Sequence, residues 1–103
     1  MKYVITWWER PAGSAADYEA AQKRLLAIFQ RWEMPASLQF HQFLVRVGEM
    51  GGCAVLEIDQ PADIHRVTTA FAAFKFRVDQ VLDVGEAVAA EAAAIAWREG
   101  LAG

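Results

Sequence analysis

Gln39-Phe40-His41-Gln42-Phe43-Leu44-Val45-Arg46-Val47, Gly48-Glu49-Met50-Gly51-Gly52 and Cys53-Ala54-Val55-Leu56-Glu57-Ile58 read in turn as strand, turn and strand. Both arms are rich in β-branched and aromatic residues, and the glycines between them are free to take the positive φ of a hairpin turn. Alternation sorts the second arm by face. Ala54, Leu56 and Ile58 form one apolar row, while Cys53, Val55 and Glu57 point the other way. With Val47 opposite Gly52, His41, Phe43 and Val45 join the apolar row. Phe40, Gln42, Leu44 and Arg46 then fall on the opposite, open face. A slip of one residue would exchange the two faces.

Working outward, Lys2 to Trp8 is a first strand, closed by the turn Arg10-Pro11-Ala12-Gly13. Ser14 offers an N-cap, and Asp17 makes the first turn acidic. Tyr18, Ala21, Leu25, Ile28, Phe29 and Trp32 recur at helical spacing, which predicts an amphipathic helix over Ser14 to Trp32. Pro35 closes that region. Pro61 suits the first position of a second helix, whose buried stripe is Ile64, Val67, Phe71 and Phe74. Phe76 to Leu82 is strand four, with Phe76, Val78 and Leu82 under the helices and Arg77 and Asp79 on the open face. Asp83 and Glu86 form a capping-box-like pair ahead of an alanine-rich helix over Glu86 to Glu99. The order predicts the α+β class: a ferredoxin-like βαββαβ antiparallel sheet with two helices on one face and an additional C-terminal helix.

The chain has 103 residues, which is one domain, 1–103, with no linker, repeat or low-complexity segment. Its net charge of −3 disfavours nucleic acid and anionic membranes, which call for basic patches. No apolar run approaches the ~20 residues of a membrane span. The apolar start, cut off by Glu9, Arg10 and Pro11, reads as a strand rather than a signal peptide. Cys53 is the single cysteine, so no intrachain disulfide and no thiolate-rich metal site is expected, and the cytoplasm is the expected location.

No Gly-rich phosphate loop, nucleophile elbow or paired metal-ligand motif is present, so neither a cofactor nor a metal is called for. What remains is a few polar groups among apolar neighbours. Glu57 is a candidate general base or ligand anchor, against the plainer reading of a solvated carboxylate near a strand end. His41 is a candidate proton shuttle or a core histidine bonded to a backbone carbonyl. In this register His41 and Glu57 face opposite ways and form no dyad, while Gln42 lies across the hairpin from Glu57. Trp7 and Tyr18 are candidates for the wall of an apolar pocket, or plain core. His65, beside the second helix's stripe, reads as a surface histidine, and Cys53 as inert.

Met1-Lys2-Tyr3-Val4-Ile5-Thr6-Trp7, Phe40-His41-Gln42-Phe43, Gly51-Gly52, Leu56-Glu57-Ile58-Asp59 and Pro61, in that order, resemble a small bacterial family catalogued as a domain of unknown function within the dimeric α/β-barrel, ferredoxin-like superfamily. The resemblance covers almost the whole chain and implies a homodimer. It brings no agreed activity or catalytic residues. The wider superfamily includes cofactor-free monooxygenases, isomerases, cyclases and haem-degrading enzymes, and fold analogy cannot choose among them. The haem-degrading pattern wants an asparagine, and this chain has none.

Two readings of function follow. The first is a small-molecule-binding protein, extending to a cofactor-independent enzyme, that takes an apolar or aromatic compound between sheet and helices. The second is a non-catalytic dimeric ligand-sensing or interaction module. A cavity of ~300 Å³ or more with convergent polar groups favours the first, and a filled core the second. An RNA-binding module shares the element order, but strand three lacks the basic and aromatic stacking residues it needs. Val4, Trp8, Phe40, Leu44 and Val55 would make the open face apolar, to be covered by a second copy or by the third helix in cis.

Overall fold

A computed structural model describes residues 1–102. The elements run β1 (Lys2–Glu9), α1 (Ala15–Gln30), β2 (Gln39–Val45), β3 (Gly52–Glu57), α2 (Pro61–Ala70), β4 (Phe74–Val81) and α3 (Val84–Ala102). The four strands form one antiparallel sheet in the order β2-β3-β1-β4. This is the ferredoxin-like α+β arrangement, with α3 added.

Each boundary has a local cause. Ser14 Oγ accepts the Asp17 N–H, and the Asp17 carboxylate accepts the Ser14 N–H, which closes a capping box at the start of α1. Pro61 occupies the first turn of α2. The second helix ends at Ala70, short of the expected Phe74, because Arg10 ties the following turn to the end of β1. Its backbone N–H donates to the Ala73 carbonyl, and its Nε donates to the carbonyls of Ala72 and Phe74. Phe74 therefore opens β4, opposite Glu9.

The core is built by alternation. Tyr3, Ile5 and Trp7 of β1 and Ala54, Leu56 and Ile58 of the β3 arm are buried with Ile64 of α2, and Phe40, Phe74 and Phe76 pack against them. Full burial of one large apolar side chain stabilises by roughly 1.5–3 kcal/mol, so this row fixes which face the helices cover. Val4, Thr6 and Trp8 fall on the open face.

The hairpin corrects two expectations. The register shifts between Phe40 and Gln42, a β-bulge that leaves His41 without a partner on β3. Gln42, Phe43 and Leu44 keep the expected faces, but upstream of the bulge the faces reverse. Phe40 pairs with Leu56 and turns inward, 4.8 Å from the Phe43 ring, instead of lying on the open face. The glycines also act differently. Among the described residues Gly48 alone has positive φ, at 88°. Gly52 is required by close approach, since a Cβ there would run into the Leu44 carbonyl oxygen and lie 2.9 Å from Trp7 Cζ2. Arg46 secures the turn by donating to the Trp7 carbonyl at 2.6 Å, with its guanidinium 5.4 Å from the Trp8 ring centroid.

The third helix projects from the body. Only Ala87 among its described side chains is half-buried; the rest are exposed, including Val88, Ile95 and Trp97, so α3 leaves the open sheet face uncovered. The radius of gyration is 18.7 Å, against about 13 Å for a compact domain of this length. Accessible surface is 7503 Å², against about 5,800 Å² for a compact monomer of this mass. Asp83 accepts from Lys2 Nζ at 2.6 Å, anchoring the root of α3 to β1.

Two outcomes follow. Gly52→Ala should destabilise the fold by about 1–3 kcal/mol, the range for overpacking, read as a lower midpoint in urea denaturation. The Lys2 hydrogen bond and charge hold the Asp83 carboxyl below its ordinary value, and the same bond holds the Lys2 ammonium above its own. A depressed carboxylate contributes stability above its unfolded value of about 4, lost as pH falls through the folded value. A raised ammonium contributes below about 10.4, lost as pH rises through its folded value. Asp83→Asn should therefore melt slightly below the parent at neutral pH, with the gap closing as the solution is acidified past the carboxylate range. A gap that persists in strong acid would contradict this assignment.

Candidate functional site

The largest concentration of rings in the molecule lies between the sheet and the two packed helices. Trp7 of β1 stands 5.5 Å from Phe43 of β2 and 6.5 Å from Phe74 of β4, in tilted pairs. On the helix side, Trp32 meets Phe71 edge-on at 5.1 Å, and Phe29 stands 6.1 Å from Phe43. These rings bound a cavity of about 270 Å³ that reaches from β2 to β4 beneath α1 and α2. Every residue lining it is apolar or aromatic. Its mouth is formed by Leu26, Phe29, Phe43 and Val45, all exposed. Tilted and edge-to-face pairs of this kind are the arrangements the aromatic quadrupole favours.

The residues singled out from sequence separate into two places. Trp7 lines the cavity as expected, buried toward the C-terminal end of β1. Tyr18 does not: it sits one turn into α1 and is 41% exposed, so the buried stripe of α1 begins only at Leu25. Gln42 lies on the open face opposite Val55 and is exposed. His41 and Glu57 overturn the expectation that they face apart. The bulge swings His41 onto the open face, where its Nε2 lies 3.4 Å from Glu57 Oε2. Their side chains are 38% and 42% exposed, so this is a solvated pair rather than a core histidine. Lys2 stands beside it, pairing with Glu57 along the β1–β3 ladder and reaching Asp83 with its ammonium.

The open-face pair stands at ion-pair distance on a solvated surface, and the cavity, open through a mouth of exposed side chains, has no titratable wall. Among the described residues no cluster of histidine, cysteine and carboxylates is arranged to hold a metal. Cys53 is half-buried and faces the open side opposite Leu44. No helix among the described residues is long and apolar enough to cross a membrane.

A second hollow, of about 530 Å³, opens between the C-terminal half of α1 and the middle of α2. Arg24, Arg31 and Arg66 line it, and sequence reasoning passed over all three. The available signal was spacing: Arg24, Ile28 and Arg31 recur at i, i+4 and i+7, one helical face.

The fold and its ring-lined interior define a ferredoxin-like α+β domain. The chain matches the family DUF3303, a domain of unknown function, over residues 1–95, and belongs to that family. No curated protein matches it.

His41→Gln should change the unfolding free energy by less than about 1 kcal/mol, the range for an exposed ion pair. It should also leave probe binding in the ring-lined cavity unaltered, because His41 lies on the other side of the sheet. Chemical denaturation and fluorescence titration of the purified variant check both.

Proposed function

We propose that this chain is a homodimeric small-molecule-binding protein whose ring-lined cavity takes a flat apolar or aromatic compound. The observation that carries this reading is the cavity of about 270 Å³ walled entirely by apolar and aromatic side chains. At about 270 Å³ it falls just short of the ~300 Å³ expected of a ligand site and has no convergent polar groups, so the reading rests on the apolar wall and not on size or polar convergence. An apolar compound released from water into this space gains from every ring it covers. The wall offers no group to move a proton, so the reading favours binding over acid–base catalysis within the cavity. His41 and Glu57 belong to the other face and take no part in it.

Self-association rests on a separate observation. The open face presents Val4, Trp8, Leu44, Cys53 and Val55, and α3 adds exposed Val88, Ile95 and Trp97. The surface excess over a compact monomer is about 1,700 Å² by the mass scaling. This excess belongs to one chain and is about twice the ~800 Å² each partner buries in a standard protein–protein interface; two copies together would hide an area in the obligate-homodimer range of about 2,000–5,000 Å². A second copy supplies a matching apolar surface and restores compactness.

Naphthalene, a neutral flat probe, should raise the melting temperature of the full chain in proportion to its concentration. Phe43→Ala should weaken that binding at least fivefold, since it removes a ring in contact range of Trp7, Phe29 and Phe40. Absence of any shift with naphthalene would refute the binding reading. Light scattering at micromolar concentration should give the mass of a dimer or larger, lowered by Leu44→Arg or Ile95→Arg. A monomer mass for the parent protein would refute self-association.

A further inference from the structure

We propose that the natural occupant of the cavity is an amphipathic organic anion, a monocarboxylate on a hydrocarbon body, with its carboxylate held by Arg24, Arg31 and Arg66. This rests on the binding reading above and names its ligand class.

The two hollows are neighbours. Trp32 and Val67 line both, so the basic groove between α1 and α2 and the ring-lined cavity meet across these two side chains. A ligand lying over this contact has its polar end among guanidinium groups and its apolar end among rings. Arg24 stands on α1, Arg31 seven residues on at its C-cap, and Arg66 on α2, so both walls of the hollow contribute arginines. Glu33 is the one carboxylate lining the same hollow, leaving an excess of two positive charges. That excess stands out on a chain whose net charge is −3.

The three arginines are also uncommitted. Among the described residues, the ion pairs of the molecule are Lys2–Asp83, His41–Glu57, Arg46–Glu49 and Arg77–Asp79. None engages Arg24, Arg31 or Arg66. Arg31 at the C-terminus of α1 also complements the helix dipole, but that accounts for neither Arg24 nor Arg66. A guanidinium presents paired N–H donors that match the two oxygens of a carboxylate. The groove is open to solvent, so screening limits the gain and the expected preference for the anion is about tenfold rather than many orders. The apolar walls argue against a polyphosphate or nucleotide, which would need polar enclosure along its length.

Decanoate and decanol share a hydrocarbon chain and differ in the charged end. Calorimetric titration of the full chain should show decanoate binding at least tenfold more tightly than decanol at neutral pH and low salt. The triple variant R24Q/R31Q/R66Q, with its fold checked by circular dichroism, should bring decanoate down to the level of decanol. Rising salt should weaken decanoate alone. Equal affinities in the parent protein, or a preference that survives in the triple variant, would overturn the anion assignment while leaving the cavity reading standing. If neither compound binds while naphthalene does, this inference falls and the cavity reading stands; if naphthalene fails as well, both fall.

Discussion

Ring geometry governs the interior of this molecule. Trp7, Phe43, Phe40 and Phe74 rise from the sheet, and Phe29, Trp32 and Phe71 descend from the helix layer, meeting at tilted or edge-on angles. Such angles suit the aromatic quadrupole. Phe29 and Phe43 at the edge of the layer remain exposed, and Leu56 and Ile58 are the most completely buried members of the core. Everything proposed about binding depends on this layer, because its rings line the apolar cavity.

The sheet that carries the rings was largely legible from sequence. Alternation along Tyr3, Ile5 and Trp7 and along Ala54, Leu56 and Ile58 sorts two central strands without ambiguity, since a slip would place a whole apolar row in water. The capping box at Ser14 and Asp17 and the proline at the start of α2 were equally readable, because each acts within a few residues. The candidate site was less so. A single bulge between Phe40 and Gln42 reverses the faces of Phe40 and His41. Nothing in a string of strand-forming residues marks where one extra residue will be accommodated. The bulge brings Phe40 into the ring layer and His41 against Glu57, which separates the titratable pair from the cavity. The arginines escaped notice for a different reason: they acquire meaning only when α1 and α2 are set side by side.

The outer surfaces raise a complementary point. An alanine-rich helix with valine, isoleucine and tryptophan around its circumference is stable as a helix by propensity, yet its composition suits burial. Here it extends freely from a root fixed by Lys2 and Asp83. The open sheet face is likewise apolar at its centre, with Arg77 and Asp79 paired on the edge strand. Both features are the surfaces that the proposed pairing with a second copy would cover, which would leave the cavity on the far side of each sheet accessible.

The central claim is that the ring layer encloses a binding space. Solution NMR of the isotope-labelled protein with naphthalene tests it most directly. The account predicts intermolecular Overhauser contacts from naphthalene protons to the Trp7 indole and the Phe40 and Phe43 rings, with none to His41 or Gln42. Contacts confined to the open face or to α3 would contradict it.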